Sequence, residues 1–384
     1  MKKMKKLLLS LITLLGSLGL FAQITVTNAT FPVAGDTLFT AIDNMPNGVT
    51  ITAAGGPQSW NFAGLQAPFT RRNIVRSAGT GSAAANFPAA ELRMSLGDNG
   101  EGYFNVTSNR FELIGFSGTD PIGQNVQVQT PFSPAEIYRR APMNLFDVNQ
   151  SQSALLVAFS ADDLPSAILD LLPITPDSLR VRIHTNRTDI VDAWGTLTIP
   201  GGIYDVLREK RTEFQDTRLD IKVGFFPWQD ITDIVVQLVG IEGLDQLGRD
   251  TTVSYHFFNN EVKEPIAVVT MNNAQTAPET VEYKAKDIVS NVQSLGGLKP
   301  SVYAFPNPAI VSVRFEFSNL PKGEYTLRIF NVLGEEMIKK RYYVNGSRTE
   351  KVDISQLKKG AYLYSLVNER GKTLITKRMV VVRP

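Results

Sequence analysis

The sequence predicts an all-β protein: a β-sandwich-type body of one or two domains, followed by a small immunoglobulin-like β-sandwich at the C-terminal end. Three observations predict it. Short stretches alternate apolar and polar residues, the period a pleated strand imposes because successive side chains point to opposite faces. Turn signals such as Pro46-Asn47-Gly48, Gly55-Gly56-Pro57, Asp98-Asn99-Gly100, Pro200-Gly201-Gly202 and Asn259-Asn260 separate these stretches at short intervals. Ser166 to Leu172, flanked by Pro165 and Pro173, is the best helix candidate of the body, a short connector. At 384 residues with 43% hydrophobic content, the chain can bury a core in each of two or three domains.

Residues 1–22 carry Lys2, Lys3, Lys5 and Lys6 ahead of an apolar run from Leu7 to Phe21 and Ala22. A positive start, an apolar stretch broken by Gly16 and Gly19 and a small residue at its end form the pattern of a signal peptide. Cleavage is expected between Ala22 and Gln23. No later apolar stretch is long enough to span a bilayer, so the mature chain is expected to have no integral membrane segment.

The body is expected over residues 23–270. Leu179, Val181 and Ile183 share one strand face against Arg180, Arg182 and His184, and Val253, Tyr255 and Phe257 alternate with Thr252, Ser254 and His256. The strand pattern breaks at NQSQS, at the Asp162-Asp163-Leu164-Pro165 stretch and at Pro173 to Pro176, which marks a candidate split near 150–178. Residues 271–299 are polar and lack sustained alternation, as a linker does, although Val281 and Tyr283 leave room for one strand.

The tail, residues 300–384, reads as strands again: Val311, Val313, Phe315 and Phe317, then Tyr325, Leu327 and Ile329, then Tyr362, Tyr364 and Leu366 occupy alternate positions. Glycines between them, Gly334 and Gly360 among them, supply turns. Four ordered blocks stand out: Phe305-Pro306-Asn307-Pro308, Asn331-Val332-Leu333-Gly334, Asp353-Ile354-Ser355-Gln356-Leu357, and Lys358-Lys359-Gly360-Ala361-Tyr362, with a terminal strand carrying Lys377. These blocks resemble the type A C-terminal sorting domain of the type IX secretion system of Bacteroidetes-type bacteria, with Phe305 where the family has Tyr. The resemblance implies export across the outer membrane and recognition by the type IX machinery and its C-terminal signal peptidase. It also implies attachment to surface lipopolysaccharide, or release. The stretches Gly55–Phe62 and Asp192–Arg211 resemble blocks in uncharacterised secreted proteins, which carries no activity with it. Asp36-Thr37-Leu38, Asp177-Ser178-Leu179 and Asp250-Thr251-Thr252 resemble O-glycosylation sites of the same bacterial group.

Charge and composition narrow the chemistry. Residues 23–299 hold 20 Lys plus Arg against 30 Asp plus Glu, a field that opposes nucleic acid. With no cysteine, the chain has no disulfide, thiolate metal site, cysteine nucleophile or lipid-bearing cysteine. His184 and His256 are the only histidines and read as surface or sheet-packing residues. No metal or cofactor motif is present, and the acidic stretches at 98–101 and 245–250 read as plain turns. The leading expectation is therefore an exported, non-enzymatic module that binds a glycan or a surface protein, with Trp60, Trp194 and Trp228 as candidate ligand-stacking residues beside Phe225-Phe226-Pro227. The alternative is a secreted polysaccharide hydrolase using a carboxylate pair drawn from residues such as Asp162, Asp163, Asp216, Asp220, Asp230 and Asp233.

Overall fold

The computed structural model describes residues 24–67, 69–96, 100–119, 126–163, 169, 174–236, 247–285, 301–305, 309, 311–331 and 334–381. The protein is all β, as its alternation predicts. The signal segment with Ala22 and Gln23, and all of the expected connector helix except Leu169, lie outside the described residues.

Fifteen strands of the body form one hydrogen-bonded sheet. They are β1 (Thr37–Asp43), β2 (Gly55–Asn61), β3 (Phe69–Ile74), β4 (Arg76–Ser77), β5 (Leu92–Leu96), β6 (Gly100–Val106), β7 (Arg110–Thr119), β8 (Gln127–Arg140), β9 (Val148–Ser160), β10 (Ser178–Ile199), β11 (Gly202–Lys222), β12 (Gln229–Asp230), β13 (Gly248–Phe258), β14 (Ala267–Met271) and β15 (Pro278–Lys284). The path runs β3-β1-β15-β14-β13-β11-β10-β9-β8-β7-β6-β5-β4, with β2 laid parallel on β10 and β12 on β11. Its spine is the β10–β11 hairpin, paired from Ser178↔Lys222 to Ile199↔Gly202 around the turn at Pro200-Gly201. On β10 Leu179, Val181, Val191, Ala193, Leu197 and Ile199 are buried at alternate positions, the period that the strand geometry requires.

The two ends of this path, β3 and β4, are consecutive in the chain and are joined by Val75. The Val75 N–H donates to the Asp36 carbonyl and its own carbonyl accepts from Gly35 N–H, 2.9 Å in each case. The Asn73 side chain bonds both Ser95 backbone groups on β5, each at 3.2 Å. The sheet therefore curls until its ends meet, hiding edges that would otherwise be open to pairing. Buried residues of this curl gather in several clusters. Trp60, Phe62, Leu197, Phe257 and Val281 form one of them, and Phe31, Phe104, Phe111 and Leu113 another.

Two sequence expectations are corrected here. The interval 150–178 does not divide the body, because β9 and β10 on either side of it pair from Ser178↔Ser160 to Ile190↔Val148. The polar NQSQS stretch lies within β9, where its backbone groups are satisfied by neighbours on the sheet. The linker does not begin at 271, since β15 pairs with β1 and β14 and buries Val281 and Tyr283. Alternation outweighs polar composition over those few residues.

The tail forms a second, five-stranded sheet: β16 (Ser301–Phe305), β17 (Ser312–Asn331), β18 (Glu336–Asp353), β19 (Gly360–Asn368) and β20 (Thr373–Val381). The first part of β17 pairs with β16 and the last part with β19, with register shifts between Phe317 and Gly323. One long strand is thus shared by both layers of a small sandwich. Its core is built from residues between Val302 and Val381, with Phe315, Phe317, Leu327, Ile329, Tyr364, Leu366 and Met379 buried.

Candidate functional site

The three tryptophans occupy three different settings. Trp60 on β2 is 2% exposed, edge-on to Phe257 at 5.0 Å, with its indole N–H donating to Thr52 Oγ1 at 2.9 Å. It is a core residue and is withdrawn as a ligand-stacking candidate: its large apolar ring is worth most where water is excluded and its N–H still finds an acceptor. Trp194 is half-buried against the Val26, Met143 and Val191 cluster, and Gly56 approaches its indole so closely that a Cβ there would lie 2.6 Å from the ring nitrogen. Trp228 is half-buried under the Arg180 guanidinium, which stands 4.5 Å from its ring centre.

Next to Trp228 in the chain, Phe225 and Phe226 are stacked on each other with ring centres 4.8 Å apart. Phe225 is 90% exposed and Phe226 is exposed as well. They sit between β11 and β12, in a bend where Gly224 takes a positive φ of 51° and donates its N–H to Asp177. Two exposed phenyl rings side by side form an apolar step beside the arginine-capped indole.

Four of the carboxylates considered for hydrolysis, Asp216, Asp220, Asp230 and Asp233, are tied to arginines. Asp220, 1% exposed, accepts four hydrogen bonds of 2.6–2.8 Å from Arg180 and Arg182. Burial works against its charge, but these bonds outweigh it and hold the carboxyl below the usual carboxylate range. Asp216 accepts from Arg218 at 2.7 Å, Asp230 pairs with Arg182 at 3.2 Å, and Asp233 lies 3.7 Å from Arg218. A general acid needs a raised pKa, the opposite of what Arg180 and Arg182 impose on Asp220.

A set of interior charges escaped the sequence reading. Across the β10–β11 hairpin Arg187 faces Glu213 and Asp189 faces Arg211. Arg187 donates to Glu213 at 2.6 Å and to Glu136 at 2.7 Å, while Arg211 donates to Asp189 at 2.8 Å and to Glu209 at 2.9 Å. Burial lifts the Glu209 carboxyl above its ordinary range, Asp189 adds to the rise and Arg211 opposes it. Opposite charges two apart, Arg187 and Asp189 on β10 and Glu209, Arg211 and Glu213 on β11, are the signal in the sequence that could have found it.

Of these charges Arg211 lines a cavity of about 270 Å³, whose wall is drawn from β1, β3 and β13–β15 and from β5, β7 and β8. Apolar groups, among them Met94, Phe111, Tyr138, Phe258 and Tyr283, make up much of its wall. His256 lines it too, bonded to Ser254 Oγ at 2.9 Å, and burial together with Arg211 and Arg187 keeps its imidazole well below the usual range and so neutral. Arg139, 6% exposed, reaches the same wall between the Phe31 and Phe258 rings, at 5.3 and 5.5 Å. Its guanidinium donates to two backbone carbonyls, those of Lys263 and Thr30. His184, by contrast, is exposed on β10, as read.

In the tail, the motif residues act as turn and core determinants. Gly334, at φ 83°, closes the Asn331–Glu335 turn by donating its N–H to the Asn331 carbonyl at 3.0 Å. The Asp353 carboxylate accepts the Ser355 N–H at 2.7 Å, hydrogen bonds from the Ser355 side chain and backbone lower its pKa, and Leu357 is fully buried. Gly360 opens β19, and the Tyr362 hydroxyl donates to the Lys358 carbonyl at 2.8 Å. Lys377 on β20 lies over the Tyr303 ring, and burial pushes its amine down to about 8. Pro306, Asn307 and Pro308 lie outside the described residues.

Residues 303–382 match the family model described as the secretion system C-terminal sorting domain. No curated protein matches the chain. Among solved structures, the chain is similar to dimeric latent PorU from Porphyromonas gingivalis at 12% identity and a TM-score of 0.22, covering 93% of this chain and 30% of that one. It is also similar to PorZ, a bacterial surface component of the type IX secretion system of Porphyromonas gingivalis, at 10% identity and a TM-score of 0.17, covering 77% and 50%. The chain thus spans about a third and a half of their lengths, and scores this low do not establish a common fold. Among the described residues no helix is long and apolar enough to cross a membrane. The tail is a type IX secretion C-terminal sorting domain, which indicates export through the outer membrane, to be held at the surface or released.

Proposed function

We propose that the body is a non-enzymatic binding module, delivered outside the cell by its tail, that holds a glycan or another surface protein. The observation that carries this reading is the stacked Phe225-Phe226 step. Exposed phenyl rings contribute little to folding, whereas their faces can stack on sugar rings or anchor a protein contact. The binding reading is further supported by the pairing of Asp220 with Arg180 and Arg182, which lowers its pKa and disfavours a general-acid role for it in a hydrolase.

In this reading the signal peptide ends between Ala22 and Gln23, and the sorting domain occupies about 300–384. The C-terminal signal peptidase removes the tail once it has crossed, and lipopolysaccharide attachment is one fate of the exported body. Screening the mature chain on a glycan array and against surface-protein extracts, beside Phe225→Ala/Phe226→Ala, tests the proposal. Binding that falls at least tenfold in the double variant, the scale of about 1.4 kcal/mol, is expected. Turnover of chromogenic polysaccharides without retention, or binding unchanged by the double substitution, would count against it.

A further inference from the structure

We infer that the cavity walled by β1, β3, β5, β7, β8 and β13–β15 is a binding site for a small organic monoanion, an aryl or alkyl carboxylate, with Arg139 as its counter-charge. This site is separate from the Phe225-Phe226 step and does not depend on it.

The argument begins with charge. A guanidinium taken out of water costs several kcal/mol unless an opposite charge compensates it. The other cations on the cavity wall have such a partner: Arg71 has Glu282 at 2.5 Å, Lys263 has Asp36 at 3.1 Å, and Arg211 has Asp189 at 2.8 Å. Arg139 is the exception, for among the described residues no carboxylate pairs with it. Two backbone carbonyls satisfy its terminal nitrogens, and its Nε is buried without any hydrogen-bond partner. Burial pushes its pKa down to about 10, against the more distant pull of Glu209 and Glu264. This guanidinium, with no carboxylate in direct contact, therefore borders a partly open pocket.

The walls define the rest of the ligand. Phe111, Tyr138, Phe258 and Tyr283 offer ring faces and edges to an apolar body. One cation without a carboxylate in direct contact matches one negative charge, the wall's Glu264 and Glu282 being held by Lys284 and Arg71, and the mainly apolar lining disfavours a strongly hydrated dianion such as phosphate. At about 270 Å³ the space lies near the lower end of ligand pockets, which suits a single ring or a short branched chain. A purely structural role for Arg139, tying Thr30 to Lys263, would account for the two carbonyl bonds but would leave binding indifferent to ligand charge.

That difference is measurable. Titrating the mature chain with 3-phenylpropionate and with 3-phenylpropanol, by calorimetry and by ligand-observed NMR, compares an acid with an alcohol of similar shape. The acid is expected to bind at least about tenfold more tightly. Arg139→Met is expected to erase that preference. Thr40→Trp, which fills the cavity from β1 and leaves both carbonyl ties in place, is expected to abolish binding of the acid while the chain unfolds cooperatively. The second variant decides the matter even if the first does not fold. Equal binding of acid and alcohol, acid binding retained in Thr40→Trp, or no binding of the acid at millimolar concentration would overturn the inference.

Discussion

Replacing Arg208 with Met is expected to cost the body about 3 kcal/mol. Arg208 is 1% exposed and grips Asp192 with two bonds of 2.7 and 3.0 Å. It also donates to the Thr52 carbonyl at 2.9 Å and the Ala53 carbonyl at 3.3 Å, and lies between the Trp60 and Tyr255 rings at 5.5 and 5.1 Å. Methionine keeps most of the stem's volume, so the loss is electrostatic rather than a cavity. Breaking a buried pair by removing one partner costs about 3–5 kcal/mol because the other charge is stranded. The Asp192 side chain retains 13% exposure, which places the expectation at the lower end. Against a total stability of about 5–15 kcal/mol, this should lower the urea midpoint by about 1 M.

Tryptophan emission is a clean readout, because Trp60, Trp194 and Trp228 are the only tryptophans and all lie in the body. Asp192→Asn alone should also destabilise, while the double variant should lose less than the two single losses added together, since it strands no charge. A single Arg208→Met loss below about 1 kcal/mol, or strict additivity in the cycle, would refute the reasoning.

Further predictions concern backbone approach and a buried amine. Gly195→Ala places a Cβ 2.0 Å from the Gln58 carbonyl oxygen of β2, so that strand must move; a loss above about 2 kcal/mol is expected, whereas Gly64→Ala, with open space around it, should stay within about 0.5 kcal/mol. Equilibrium unfolding followed by tryptophan emission checks both. In the tail, Lys377 is depressed from 10.5 to about 8 in the fold, so its contribution is fully present above pH 10.5 and is lost as pH falls through 8. Lys377→Met should therefore stabilise the tail at pH 7, with its advantage shrinking between pH 8 and 10.5; hydrogen exchange across residues 301–381 measures this, and an advantage that does not vary with pH would exclude the titration.

Much of the strand content was legible because burial on one face leaves a period-two trace. Leu179 and Val181 on β10, Val253 and Phe257 on β13, and Val313, Phe315 and Phe317 on β17 are all buried as their alternation predicts. Val281 and Tyr283 carried the same trace inside a stretch whose polar composition read as linker. Partnership was not legible: nothing local in Asn73 or Val75 announces that they join β3 to the β4 and β5 end of the same sheet, since that depends on contacts chosen by the whole fold. The site was hidden for a related reason. Arg139 stands in the run Tyr138-Arg139-Arg140, which reads as a charged surface until the opposite layer, with Phe31 and Phe258, covers it. Trp60 failed in the opposite sense: an aromatic suited to stacking on a ligand is equally suited to stacking on Phe257.

The most direct test of the account is to express the chain with and without residues 301–384 in a bacterium with a working type IX system and follow the body on intact cells and in the medium. The full chain should reach the surface or the medium, and the shortened chain should remain in the periplasm with its signal peptide removed. Delivery of the shortened chain to the outside at the level of the full one would contradict the role assigned to the tail.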